Sequence, residues 1–172
     1  MVERTEPPPG VVCDAGPLIH LDELDSLDLL CDFASVLVPR SVWGEVMRHR
    51  PRALETGVVG LTQALIEGGE PALVTALARS LVLGSGEREA LHLALQRPGL
   101  ILLTDDAAAR LAAEALHLRV HGTIGVLLRA LRLGRRTRDQ AIQTLEGLRD
   151  RSSLHVRPAL IAQVVQRLRS PD

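Results

Sequence analysis

The sequence predicts an α/β fold: a three-layer α/β/α sandwich with a mostly parallel central sheet, plus helices at its C-terminal end. Short runs such as Val11-Val12-Cys13 and Leu100-Ile101-Leu102-Leu103 are apolar throughout. They lack the alternation of a half-wet strand and read as strands covered on both faces. Segments with helical spacing lie between such runs, as in parallel sheets with crossover helices. Both runs stop abruptly at or near carboxylates, Asp14 after the first and Asp105-Asp106 after the second. In an open parallel sheet the crevice outside the carboxyl ends of the strands is where ligands bind.

A chain of 172 residues makes one domain able to bury a substantial core. Phe33 and Trp43 are its only aromatic residues, so the core must be packed from Leu, Val, Ile and Ala. Charged residues make up 24% and the net charge is -1, which argues against disorder and against a polyanion-coating protein. The basic residues are all arginine, with no lysine. A genome rich in G and C accounts for that, and so does a need for bidentate phosphate contacts. Cys13 and Cys31 have neither metal-type spacing nor a disulfide framework, and a reducing cytoplasm is the expected compartment. No run is long enough to span a membrane, so no membrane partner is expected. Residues 1–10, with Pro7-Pro8-Pro9-Gly10, lack the apolar stretch of a signal peptide and read as a flexible, extended leader.

Taken in order, Val11-Val12-Cys13 is the first strand. Pro17 suits the first turn of a helix whose apolar face is Leu18, Ile19, Leu21 and Leu24, with Asp22, Glu23 and Asp25 facing water. A second short helix ends near Phe33. Ala34 to Val38 is the second strand, closed by Pro39. Ser41 is a candidate N-cap for the next helix, whose buried stripe is Val42, Val46 and Met47, with Glu45 at its edge. Arg48, His49, Arg50 and Arg52 close that helix, as the helix dipole favours, or offer a phosphate patch. Residues 53–82, with leucines at 61, 65, 73, 77 and 81, predict one or two helices interrupted at Gly68-Gly69. Gly84-Ser85-Gly86-Glu87 opens a helix that runs to Pro98-Gly99. The strand Leu100–Leu103 follows, then a helix over 107–116, a strand Leu118–His121, and the segment Gly122-Thr123-Ile124-Gly125 leading into a helix over 126–133. Gly134-Arg135-Arg136 is a basic loop. Residues 139–149 and 158–169 are two amphipathic helices with stripes at Ile142, Leu145, Leu148 and at Ile161, Val164, Val165, Leu168.

A right-handed parallel topology brings strand ends and helix starts to one edge of the sheet. Asp14 and Asp105-Asp106 end strands, Glu87 opens a helix, and Glu45 lies just inside another. Carboxylates gathered there repel one another, and a hard cation such as Mg²⁺ or Mn²⁺ resolves the conflict. Each acid also has a structural explanation: Asp14 as a helix cap, Glu87 as a partner of a helix dipole, Glu45 as an exposed helix residue. The adjacent pair Asp105-Asp106 is harder to explain that way, since one acid suffices for a cap.

The segments VVCDAGPLIHL, VPRSVWGEV, LGSGEREALHLAL, LLTDDAAAR and VHGTIGVLLRALRLG resemble, in order, the motifs of the PIN-domain ribonucleases, including the VapC-type toxin nucleases. The resemblance spans about residues 11–134. It implies a nuclease domain over 11–134 and a C-terminal helical extension over 135–172 packed on the same domain. It also implies a catalytic group of Asp14, Glu45, Glu87 and Asp106, with Asp105 as an alternative to Asp106. Thr104 and Arg110 would give polar support or phosphate contacts. Ala15 departs from the hydroxyl residue that often follows the first aspartate of the family.

The function implied is metal-dependent hydrolysis of RNA, with Asp14, Glu87 and Asp106 holding Mg²⁺ or Mn²⁺ and Glu45 completing the cluster. One carboxylate would accept the proton of the attacking water, and Arg48, Arg50 or Arg110 would hold the RNA backbone. Implied partners are RNA, a cognate antitoxin and a second copy of the chain. A PIN fold acting as a binding or scaffold module is the alternative. A receiver-like signalling domain needs a lysine, and none is present. A dinucleotide-binding domain is disfavoured because Gly84-Ser85-Gly86 lacks both a preceding strand and the third glycine of the fingerprint.

Overall fold

A computed structural model describes residues 7–55 and 60–170. Its centre is a five-stranded, wholly parallel sheet of order β3-β2-β1-β4-β5. The strands are β1 (Val11–Cys13), β2 (Val36–Pro39), β3 (Leu61–Ala64), β4 (Ile101–Leu103) and β5 (Val120–His121). Alternation along each strand divides the interior. Val11, Cys13, Val36, Val38, Ile101 and Leu103 face one core, and Val12, Leu37 and Leu102 face the other. The runs are apolar throughout because neither face of the inner strands meets water.

The first core is covered by α1 (Ala15–Glu23), a 3₁₀ turn (Leu27–Asp32), α2 (Arg40–His49) and α7 (Thr123–Arg132). It continues through α8 (Arg138–Glu146), α9 (Leu148–Arg151) and α10 (Pro158–Arg169), whose Ile142, Leu145, Leu148, Ile161 and Val165 belong to the same cluster. The second core lies under α4 (Ala72–Leu81), α5 (Ser85–Gln96) and α6 (Ala107–Ala115). The remaining short helix, α3 (Arg52–Glu55), contributes Ala53 to the first core. Among the described residues no helix is long and apolar enough to cross a membrane.

Chain order runs outward from β1 to β2 and β3, then returns to the other side of β1 with β4 and β5. The reversal creates a switch point between β1 and β4, where a crevice opens at the carboxyl ends. Register fixes what meets there. Val11, Val12 and Cys13 lie opposite Ile101, Leu102 and Leu103, and the Asp14 N–H donates to the Leu103 carbonyl at 2.9 Å. Asp14 therefore emerges beside Thr104.

Several expectations are corrected. The stretch 53–82 is not helical throughout, because Leu61–Ala64 is an edge strand paired with β2; residues 56–59 of that stretch lie outside the described residues. Ser41 does not cap α2, which begins at Arg40 after Pro39. Its N–H and hydroxyl instead donate to Glu89 at 2.8 and 2.5 Å. Met47 is 46% exposed rather than part of a buried stripe. Gly122 caps α7, so Thr123-Ile124-Gly125 forms its first turn rather than a lead-in. Asp22 and Glu23 are shielded, at 16% and 14% side-chain exposure, by pairing with Arg50. Of the expected leader, residues 1–6 lie outside the described residues; the Pro9 and Gly10 carbonyls already accept from Ala34 and Ile101.

Candidate active site

The cleft at the β1–β4 switch point has a volume of about 300 Å³ and is lined by Asp14, Glu45, Glu87, Asp105, Asp106 and His20, among others. Asp14 is its most buried acid, at 5% exposure. One of its oxygens accepts from the Ala15 N–H at 2.8 Å, capping α1. The other accepts from the Thr104 hydroxyl at 2.8 Å. Burial, and then the negative charges of Glu87 and Glu45, push its pKa up to about 7 against the lowering effect of those two hydrogen bonds. A carboxylate so placed is short of positive charge.

Asp105 and Asp106 divide their work. Asp105 is committed to the protein, accepting from the Thr123 N–H at 2.8 Å and the Thr123 hydroxyl at 2.6 Å. It also pairs with Nδ1 of His20 at 2.8 Å. Despite burial, these bonds hold its pKa below the usual carboxylate range. Gly122 permits the arrangement, since a Cβ there would stand 2.5 Å from the Asp105 Oδ1. Asp106 caps α6, with Oδ1 accepting from the Ala109 N–H at 2.7 Å; the residue is exposed and lines the cleft, and its other oxygen has no hydrogen-bond partner among the described residues. Thr104 joins the two acidic strand ends. It donates to Asp14 and accepts from the Asp106 N–H at 3.2 Å. Arg110 donates to the Thr104 carbonyl at 3.1 Å, and Arg50 is spent on Asp22 and Glu23.

Glu45 and Glu87 come from α2 and α5, which pack against each other. Gly86 leaves the gap between them. A Cβ built there would lie 3.4 Å from Oε2 of Glu45 and 3.7 Å from Oδ1 of Asp14. The Glu87 carboxylate is folded back over Gly84, where a Cβ would stand 2.7 Å from its Oε2. Among the described residues no three His, Cys, Asp or Glu side chains converge as a ready-made metal group. The donor set nevertheless fits a hard divalent cation. It is all oxygen, it is crowded enough to raise Asp14, and Gly86 leaves space between two of its members.

Residues that the sequence reading passed over also line the cleft. His20 sits on α1 and its partner Asp105 lies 85 positions away, so local spacing carried no signal for it. Thr123 is fully buried behind the cleft, where it holds Asp105, and its place in the expected lead-in gave no signal either. Ser153, Leu154 and His155 form one wall. They are held there by Glu23, which accepts from the Ser152 hydroxyl at 3.0 Å and from the Ser153 N–H at 2.7 Å.

The sheet is wholly parallel, of order β3-β2-β1-β4-β5, and its acids gather at the switch point. A family model described as DUF3368, PIN domain, matches residues 10–170. No curated protein matches closely enough to stand as a relative. PIN domains are generally nucleases that use divalent metals. From its residue 10 to its residue 170, this chain belongs to the PIN-domain family.

Proposed function

We propose that this chain is a Mg²⁺- or Mn²⁺-dependent endoribonuclease that hydrolyses phosphodiester bonds of cytoplasmic RNA. The observation that carries the reading is Asp14. It is buried at the switch point, raised to about 7, with the charges of Glu45 and Glu87 acting on it. Asp14, Glu87 and Asp106 are the residues that would hold the cation, and Glu45 faces Asp14 across the Gly86 gap. Such an ion, when bound, lowers the pKa of a water and neutralises charge on the departing oxygen. Thr104 keeps Asp14 and Asp106 in register, and Arg110 braces the Thr104 backbone. With Phe33 buried and Trp43 packed against the core, base stacking has little to work with, so RNA shape and polar contacts carry recognition.

The decisive test is Asp14→Asn, expected to abolish Mn²⁺-dependent RNA cleavage while circular dichroism stays unchanged. Cleavage by the variant at the wild-type rate would refute the assignment. RNA binding without cleavage by the wild type would leave a scaffold module instead. We propose further that the chain is the toxin of a toxin–antitoxin pair and works as a homodimer. Expression that fails to slow growth would remove the first, and a monomer in sedimentation at micromolar concentration the second.

A further inference from the structure

Asp14 and Asp105 both accept hydrogen bonds from the protein, and Glu45, Glu87 and Asp106 belong to the acid cluster assigned above to the cation. Beside them His20 offers an imidazole held by a carboxylate. We infer that His20 is the general base of this site, an inference that rests on the hydrolytic reading above.

The geometry is that of an oriented imidazole. His20 lies on α1 and lines the acidic cleft. Its Nδ1 meets Oδ2 of Asp105 at 2.8 Å, with the two side chains 13% and 11% exposed. Asp105 is itself fixed, because both donors of Thr123 hold it at the start of α7. An ionised carboxylate accepts only, so Nδ1 must carry the proton in this contact. In the neutral ring Nε2 is then left with its lone pair. No described residue bonds Nε2. The same logic, a carboxylate selecting the tautomer of a histidine so that its other nitrogen can take a proton, underlies hydrolytic triads on unrelated folds. Gly16 packs directly beside the pair: a Cβ there would lie in ordinary contact with His20 Cε1 and the Asp105 Cβ, at 3.5 Å each.

In the reaction, Nε2 takes a proton from water as the water oxygen forms its bond to phosphorus. The bond from phosphorus to the leaving oxygen breaks with its electron pair. The leaving oxygen takes a proton from solvent, and the imidazolium returns one to solvent, so the histidine ends each turnover neutral. Asp105 touches no reacting atom; it is a positioning residue.

His20→Ala should lower kcat by about 100-fold or more with little change in KM, and added imidazole should restore a measurable part of the rate. His20→Gln, which keeps a side-chain contact to Asp105, should be as slow and show no imidazole rescue. Asp105→Asn should also be slow, and combining it with His20→Ala should add little. The ¹⁵N shifts of the metal-free wild type should report the Nδ1–H tautomer for His20, changed in Asp105→Asn. An Nε2–H tautomer in the wild type overturns the inference. So does cleavage by both His20 variants at the wild-type rate while Asp14→Asn is dead, which leaves the nuclease reading intact. If the wild type itself cleaves no RNA, both fall together.

Discussion

Asp14 makes the folded state sensitive to pH in an unusual direction. Its carboxyl is raised from 3.8 to about 7 by burial and by its acidic neighbours. Between those values the folded protein keeps the proton that the unfolded chain has given up. Stability contributed by this group is therefore complete at low pH and is lost as pH rises toward 7. A shift of roughly three units corresponds to on the order of 4 kcal/mol across the whole range. Asp14→Asn does not titrate. Its stability relative to wild type should thus rise by about 3 kcal/mol between about pH 5 and about pH 8. Urea denaturation followed by circular dichroism, in EDTA, measures this directly. Other groups titrate in both proteins, and the difference between them isolates Asp14. A difference that stays flat over that range refutes the argument, because it would mean that Asp14 ionises in the fold as easily as in the unfolded chain.

Mn²⁺ should raise the melting temperature of the wild type at neutral pH, by linkage of about 2.7 kcal/mol at a hundredfold excess over Kd, and should leave Asp14→Asn unmoved; calorimetry decides. Gly86→Ala would place a methyl 3.4 Å from the Glu45 Oε2 and the Val42 Cγ2, so cleavage should fall about tenfold or more while the fold survives. Glu23→Ala frees Ser152 and Ser153, costing about 1–3 kcal/mol in denaturation and raising KM as the cleft wall loosens. Val82 ends α4 at φ +56 and ψ +46 while 88% exposed; Val82→Gly should gain about 0.5–1 kcal/mol, because a β-branched residue is strained there, and an unchanged midpoint would contradict that.

The legible part of the fold was the part with a local cause. β1 and β4 are short and wholly apolar because both faces are buried, and the acids that follow them mark the strand ends. β3 was not legible: Leu61 and Leu65 mimic a helical period, and Thr62 and Gln63 are exposed on an edge strand. Only pairing with β2 makes it a strand, and pairing is not written in four residues. Within the site, Asp14, Glu45, Glu87, Asp105 and Asp106 stood out as acids at element ends. The division of labour between Asp105 and Asp106 was not visible, because it depends on Thr123 and on His20, 85 positions before Asp105. Met47 was misplaced because its helix has a narrower buried stripe than its sequence spacing suggests.

The wall of the cleft has a consequence for the order in which the molecule matures. Glu23 grips Ser153 across 130 positions, so this side of the acidic crevice cannot close until the chain has emerged past α9. A nascent polypeptide that has already laid down β1, β4 and all the acids still lacks it. Contacts of such long sequence separation carry a loop-closure cost and need both ends of the chain to be present. A partly synthesised chain therefore carries the acids without the enclosed crevice.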